Sequence, residues 1–389
     1  MAYQAVREFI PFYPVYALLF AETGLSTGQI STLFIIWSAT HVLLEVPSGA
    51  LADVVSRRAL LIASAIVYGA TFAVWAAFPS YPTFALGFVL WGISGAIASG
   101  AYEAYVYDQL AAHDRLRSYP RIIARGRAGG FVLTLAATLL ASVLIKLGGF
   151  DLIGAASVAV CAVLTLIAVS LPRDAQSAPA QPADPGELRG YGAMLRGGLA
   201  EVYRSRSVRW AVLLAALVPG FLAFDEYFPL LAASLGTDIP LIPVLIAGVD
   251  AAQALGALAA ERLHARSVVP WMVAGAVLLG AGAQSGHPGG FVAIAAGYGL
   301  LQLAIVVVET RLQGVIEGAA RATVTSVTAL LSELFAIAIY AGFALGSIWL
   351  SLISLVTLLA VALLVLAAVV AARQVQERRT APESATMRG

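Results

Sequence analysis

Apolar residues in this chain gather into long runs divided by short charged or Gly/Pro punctuation. Each run is about 20 residues long, enough for a helix to cross a hydrocarbon core roughly 30 Å thick. The pattern predicts twelve spans: 4–23, 28–52, 59–78, 83–109, 124–146, 151–171, 208–233, 238–260, 268–285, 290–312, 322–345 and 348–372. The first run has no basic leader and no small-residue cleavage site, so it is expected to stay as a helix. The predicted fold class is an all-α integral membrane protein with twelve transmembrane helices.

Composition sharpens this reading. The 389 residues are 60% hydrophobic and 12% charged, against roughly 25% charged in a soluble domain, which argues against a soluble enzyme. The only lysine, Lys146, follows Ile145, so there is no Gly-Lys-Ser/Thr phosphate loop for ATP hydrolysis. Cys161 stands alone in an apolar run, and His113, His264 and His287 lack ligand spacing, so no disulfide, metal site or cofactor is expected.

Net charge is +1, but the distribution of arginine carries more information than the sum. With the N-terminus inside, the arginines fall in inner connections or near inner helix ends, and Lys146 alone lies outside. The positive-inside rule then places both termini in the cytoplasm, with the protein in a bacterial-type inner membrane.

Residues 172–207 differ in composition from the spans. Positions 172–185 are rich in Pro, Ala and polar residues, as in a flexible linker. Beyond them, Leu188, Tyr191, Leu195, Leu199 and Val202 recur at helical spacing among Arg189, Arg196, Arg204 and Arg206. That pattern fits a helix lying on an anionic membrane surface, or a solvated linker helix. The predicted organisation is a six-helix bundle over 1–171, the linker with its amphipathic helix, a second bundle over 208–372 and a tail over 373–389.

A weak internal repeat supports two halves. Gly24 corresponds to Gly236, Gly49–Asp53 to Gly256–Ala260, Asp108 to Glu309 and Arg121 to Arg321, at nearly constant offsets. Two six-helix bundles around a midplane site are the organisation of many secondary transporters.

Ionisable residues inside a bilayer are costly, about 2.5–3.5 kcal/mol each on the most forgiving scale, and call for a function. Here Asp250, Glu333, His41, Glu45, Glu103, Asp225 and Glu226 all fall within spans. His41, Glu45, Gly49 and Asp53 are spaced by four and share a helix stripe, while Ser326, Glu333 and Tyr340 are spaced by seven.

Residues Gly49-Ala50-Leu51-Ala52-Asp53-Val54-Val55-Ser56-Arg57-Arg58 resemble the signature of the major facilitator superfamily between helices 2 and 3, with Ser56 in place of the usual second glycine. Glu45-Val46-Pro47-Ser48-Gly49 and Arg321-Ala322-Thr323-Val324 resemble bacterial drug-exporter-like members. The helix 4 arginine of the proton-coupled exporters is absent from Gly92–Tyr105, and the Gly-Pro signature of antiporter helix 5 from Arg127–Lys146.

The resemblance implies alternating access, with Gly49, Asp53, Arg57, Arg58 and Arg321 forming a gating latch. Asp53 would dock on the positive N-terminal end of helix 11, and Arg57 and Arg58 would pair with Asp108 or Asp114. Helices 2 and 11 are neighbours in that fold, so His41 and Glu333 would meet and, with Glu45 and Asp250, couple transport to protons. Helices 1, 4, 7 and 10 would line the cavity with Tyr13, Tyr16, Tyr102, Glu103, Tyr105, Asp225, Glu226, Tyr298 and Gln302.

Tyrosines combined with carboxylates suit a flat, partly apolar or cationic ligand. The expected function is therefore proton-coupled export of a hydrophobic or cationic small molecule by a monomer. Its partners would be that substrate, protons and the lipid bilayer, with no nucleic acid. The alternatives are proton-coupled import of a small nutrient, and a non-transporting sensor or lipid-handling protein on the same scaffold.

Overall fold

The computed structural model describes residues 1–174, 206–262, 267–316 and 321–380, and for 45–54, 207, 262, 321–322 and 377–380 only the backbone. The side chains of Glu45, Gly49, Asp53 and Arg321, most of the linker with its amphipathic helix, and the end of the tail lie outside the described residues.

All regular structure among the described residues is helical, and the chain makes twelve passes. The first pass is broken into α1 (Ala2–Arg7) and α2 (Tyr16–Glu22). Then come α3 (Thr27–Val54), α4 (Arg57–Ala77) and α5 (Tyr81–Ala111). Two passes form α6 (Tyr119–Ser170), which turns at Gly148–Gly149, where Gly149 takes φ +62°. A glycine adopts that left-handed conformation without a Cβ clash.

The seventh pass is broken into α7 (Arg206–Leu222) and α8 (Phe228–Ser234). The remaining passes are α9 (Ile242–Arg262), α10 (Val269–Ala283), α11 (Gly290–Val315), α12 (Arg321–Gly346) and α13 (Leu352–Thr380). Nine helical stretches among the described residues are long and apolar enough to count as single spans. The difference from twelve lies in the broken first pass, the merged α6 and the short α10.

Prolines explain the first break. Pro11 and Pro14 have no N–H to donate to the carbonyls of Arg7 and Ile10, so α1 stops and the chain runs irregularly before a 3-10 turn at Tyr13–Val15. Irregular backbone inside a membrane persists only where its polar groups find partners. The Phe12 N–H finds one in the fully buried Ser157 Oγ of α6, at 3.1 Å.

The seventh pass repeats this construction. A 3-10 turn at Ala223–Tyr227 separates α7 from α8, and the Leu222 carbonyl at the break accepts a hydrogen bond from the buried Tyr298 hydroxyl. Both short helices then end alike: Gly24 at φ +92° lets the Leu25 N–H reach Phe20 O at 3.1 Å, and Gly236 at φ +82° lets the Thr237 N–H reach Ala232 O at 3.1 Å.

Helices of each half pack chiefly on one another, α4 on α5 and α10 on α11, while α3 meets α12 and α6 meets α9 between the halves. Small residues allow the closest crossings. A Cβ on Gly92 of α5 would lie 2.6 Å from Thr40 Cγ2 of α3, and one on Gly299 of α11 would lie 2.6 Å from the Ala252 carbonyl of α9. The same crossing thus recurs in the two halves.

Ser157→Ala should leave the Phe12 N–H unpaired in an apolar surrounding and cost about 1–3 kcal/mol. The expected readout is a lower thermal midpoint in detergent. An unchanged midpoint would show that the break in the first pass does not depend on this bond.

Candidate functional site

The two breaks face each other at mid-depth. The Tyr16 hydroxyl, at the start of α2, donates to the Glu226 carboxylate in the 3-10 turn of the seventh pass. The next residue, Tyr227, donates its hydroxyl to Ser31 Oγ of α3 at 2.6 Å. Phe34 of α3 packs edge-on against the Tyr227 ring and against Tyr340 of α12. These contacts tie the halves together toward the face opposite the chain termini, called here the far face. Nearer that face, Ser142 Oγ donates to the Pro240 carbonyl, and Gly28 packs against Ala344 and Ser347.

Beneath this layer, Tyr13 keeps 41% of its surface exposed although Tyr16 and Trp91 rings stand edge-on to it at 6.0 and 5.6 Å. The Tyr16 ring it meets is the one whose hydroxyl holds Glu226, and Asp225 precedes Glu226 in the same turn. Asp225 is exposed, Glu226 and Asp250 are half-buried, and α9, which carries Asp250, packs against the Tyr13–Val15 turn. None of these three carboxylates forms an ion pair with an arginine or lysine among the described residues. A partly open aromatic ring thus stands near uncompensated carboxylates.

This arrangement can do two things chemically. Aromatic faces stack on a flat apolar ligand and attract a cation. Carboxylates in a low-dielectric space are stabilised by taking up either a cation or a proton. Tyr13 and Asp225 are related by the same spacing in sequence as Gly24 and Gly236. Equivalent places in the two halves therefore hold an aromatic ring in one and a carboxylate in the other.

The sequence matches the family profile described as Major Facilitator Superfamily over residues 4–347. The chain belongs to the Major Facilitator Superfamily. It is a secondary transporter of that superfamily, a multi-pass membrane protein and not an enzyme. Solved structures agree in fold. A variant of the nucleoside transporter NupG aligns over 95% of this chain and 98% of its own, with TM-score 0.74 and 12% identity. A bacterial homolog of the human lysosomal transporter Spinster, inward-facing and occupied, aligns over 95% and 94%, with TM-score 0.69 and 14% identity. No curated protein matches the sequence significantly.

Within the superfamily fold, several predicted cavity residues stand elsewhere. Tyr102 stacks on Tyr3 with ring centroids 5.8 Å apart and accepts a hydrogen bond from the Met1 amine at 3.2 Å. Tyr105 donates to the Pro172 carbonyl at 2.8 Å, and Tyr298 donates to Leu222 O at the break. All three are buried in packing within their own half. Their hydroxyls hold backbone ends, so they are unavailable to a ligand. Glu103 is paired with Arg127 at 2.9 Å, both side chains at least half exposed. Gln302 is half-buried on α11 without a hydrogen bond among the described residues.

The predicted His41–Glu333 pair is not formed. Among the described residues no hydrogen bond or ion pair joins His41 to Glu333, since α3 sets the neighbouring Thr40 against Gly92 of α5. Asp250 instead lies on α9, which packs against the Tyr13–Val15 turn of the first pass. Arg57 pairs with Asp108, whereas Arg58 turns to Val169 O and offers its backbone N–H to Asp174 at 3.1 Å. Trp91 and Ser31 were not singled out by sequence. An aromatic or serine within an apolar run carries no mark of which helix it will face.

Tyr16→Phe combined with Ser31→Ala removes the two hydroxyl bonds between the halves while keeping the rings. Spin labels at Gln29 and Leu350 should then show a longer-distance population. An unchanged distance distribution would assign far-face closure to ring packing alone.

Proposed function

We propose that this transporter is a proton-coupled antiporter that exports an apolar, aromatic cation. The observation that carries the reading is the exposed Tyr13 ring packed on Tyr16, whose hydroxyl holds Glu226, with Asp225 beside Glu226 and no basic partner for either carboxylate among the described residues. A cation and protons compete for the same carboxylates. Loading one displaces the other, which is the requirement for exchange, and an inward proton gradient then drives the cation outward.

The orientation follows from the arginines, which gather at the face bearing the termini and make it cytoplasmic. Both termini would then be cytoplasmic, in a bacterial-type inner membrane. The Arg57–Asp108 pair would hold the α3–α4 connection to the end of α5 while the cytoplasmic side is open. Asp53 would dock at the start of α12 beside Arg321 when that side closes. Glu45 and Gly49 would belong to the same latch stripe. His41 and Glu333 would act as proton relays only in a state that brings α3 and α12 into a different register.

A second reading is uptake of a neutral, hydroxyl-bearing flat molecule, favoured by the fold shared with a nucleoside transporter. The carboxylates would then accept hydrogen bonds from ligand hydroxyls. The two readings differ in proton count.

Adding tetraphenylphosphonium to the purified protein in weakly buffered solution should release protons, and Glu226→Gln should weaken its binding about ten- to a hundredfold, equivalent to about 1.4–2.7 kcal/mol for a lost charged partner. Binding without proton release, or undiminished binding by Glu226→Gln, would overturn the exchange reading. Tight binding of a neutral nucleoside with no proton release would favour uptake.

A further inference from the structure

A cavity of about 420 Å³ opens at the far face between the two halves. The end of α2 contributes Leu18, Ala21 and Glu22 to its wall, and the end of α8 contributes Leu230, Ala233 and Ser234. These are three equivalent pairs, each separated by the same 212 positions that separate Gly24 from Gly236. The cavity therefore straddles the axis relating the halves. Its two sides are built by the same short helix ended by the same glycine turn.

Its lining adjoins the closure layer along the chain. Leu18 stands two residues beyond Tyr16, which holds Glu226, and Ile30 of the wall adjoins Ser31, which holds Tyr227. One layer of hydrogen-bonded side chains thus separates this cavity from the central site.

The two sides match in shape but not in charge. Where one side places Ser234, the other places Glu22, the one ionisable residue in the lining. Glu22 is exposed and makes no hydrogen bond or ion pair among the described residues, so it holds no part of the fold together. The rest of the wall is mainly aliphatic. The volume falls within the roughly 300–1,000 Å³ of pockets that enclose drug-sized ligands. Apolar walls with a single unpaired carboxylate complement a molecule that is bulky, apolar and singly positive.

We propose that this cavity is a second ligand site, where Glu22 holds an apolar monovalent cation on the far side of the Tyr16–Glu226 layer. The proposal rests on the export reading only for the direction of traffic, in which the site receives the molecule before release. One carboxylate at the rim leaves the cation weakly held, as an exit requires. The central site, with more than one carboxylate, holds it more firmly.

The test measures binding of tetraphenylphosphonium to the full chain in nanodiscs, with empty nanodiscs as the blank. Two sites are expected in the unaltered protein. Ala233→Trp, which fills the cavity from an exposed position, should reduce them to one. Glu22→Gln, nearly the same shape, should weaken the second site several-fold and leave binding of neutral triphenylphosphine oxide unchanged. Glu226→Gln should affect only the other site.

A single site indifferent to Ala233→Trp and Glu22→Gln, or a second site indifferent to both, would overturn the proposal. Two sites of which only the Glu22-dependent one survives comparison with the blank would uphold it while removing the central-site reading.

Discussion

Every other feature of this transporter depends on keeping unwound backbone satisfied inside a membrane. A helix hides its own polar groups, and a break exposes them, at a cost of several kcal/mol for each group left unpaired in hydrocarbon. Here the first pass breaks because Pro11 and Pro14 remove two donors, and the seventh breaks around Asp225 and Glu226. Ser157 and Tyr298 take up the backbone groups at the breaks. Once satisfied, the breaks become fixed points from which short side chains reach across the molecule.

The contacts made from those points combine two roles. Glu226 belongs to the acidic turn of the seventh pass, and it also accepts the hydrogen bond from Tyr16 that joins the halves. Tyr227, one residue on, makes the second joining bond. Whatever changes the charge of Glu226 therefore acts directly on a bond of the closure layer. The aromatic cluster of Tyr16, Phe20, Trp75, Phe88 and Trp91 behind it is close-packed, so the N-terminal half presents a stiff wall to the central space.

Pseudo-symmetry supplies the geometry and its violations supply the chemistry. The short helices α2 and α8, their glycine ends and the small-residue crossings recur in both halves. Substitutions at equivalent places then make the two sides unlike. Tyr13 answers Asp225, Pro14 answers Glu226, and Glu22 answers Ser234. A duplicated scaffold guarantees that such residues face one another across the axis, so changing one member of a pair is enough to create a polarised site.

The sequence by itself determined the twelve passes, because a run of apolar residues long enough to cross a bilayer has little alternative to a helix. It also determined the pairing of Gly24 with Gly236 and the presence of acids within the spans, since an intramembrane carboxylate is too costly to be incidental. Only the tertiary structure decided where each acid stands. Asp250 came to lie on the helix that packs against the Tyr13–Val15 turn, Glu103 went to Arg127, and among the described residues no hydrogen bond or ion pair joins His41 to Glu333. Helical periodicity places a side chain on a face, but which neighbour that face meets is set by rotations and crossings such as Gly92 on Thr40, which depend on packing of the whole bundle. For the same reason Tyr102, Tyr105 and Tyr298, cavity candidates by helix number, turned into the packing, while Trp91 came to stand beside Tyr13.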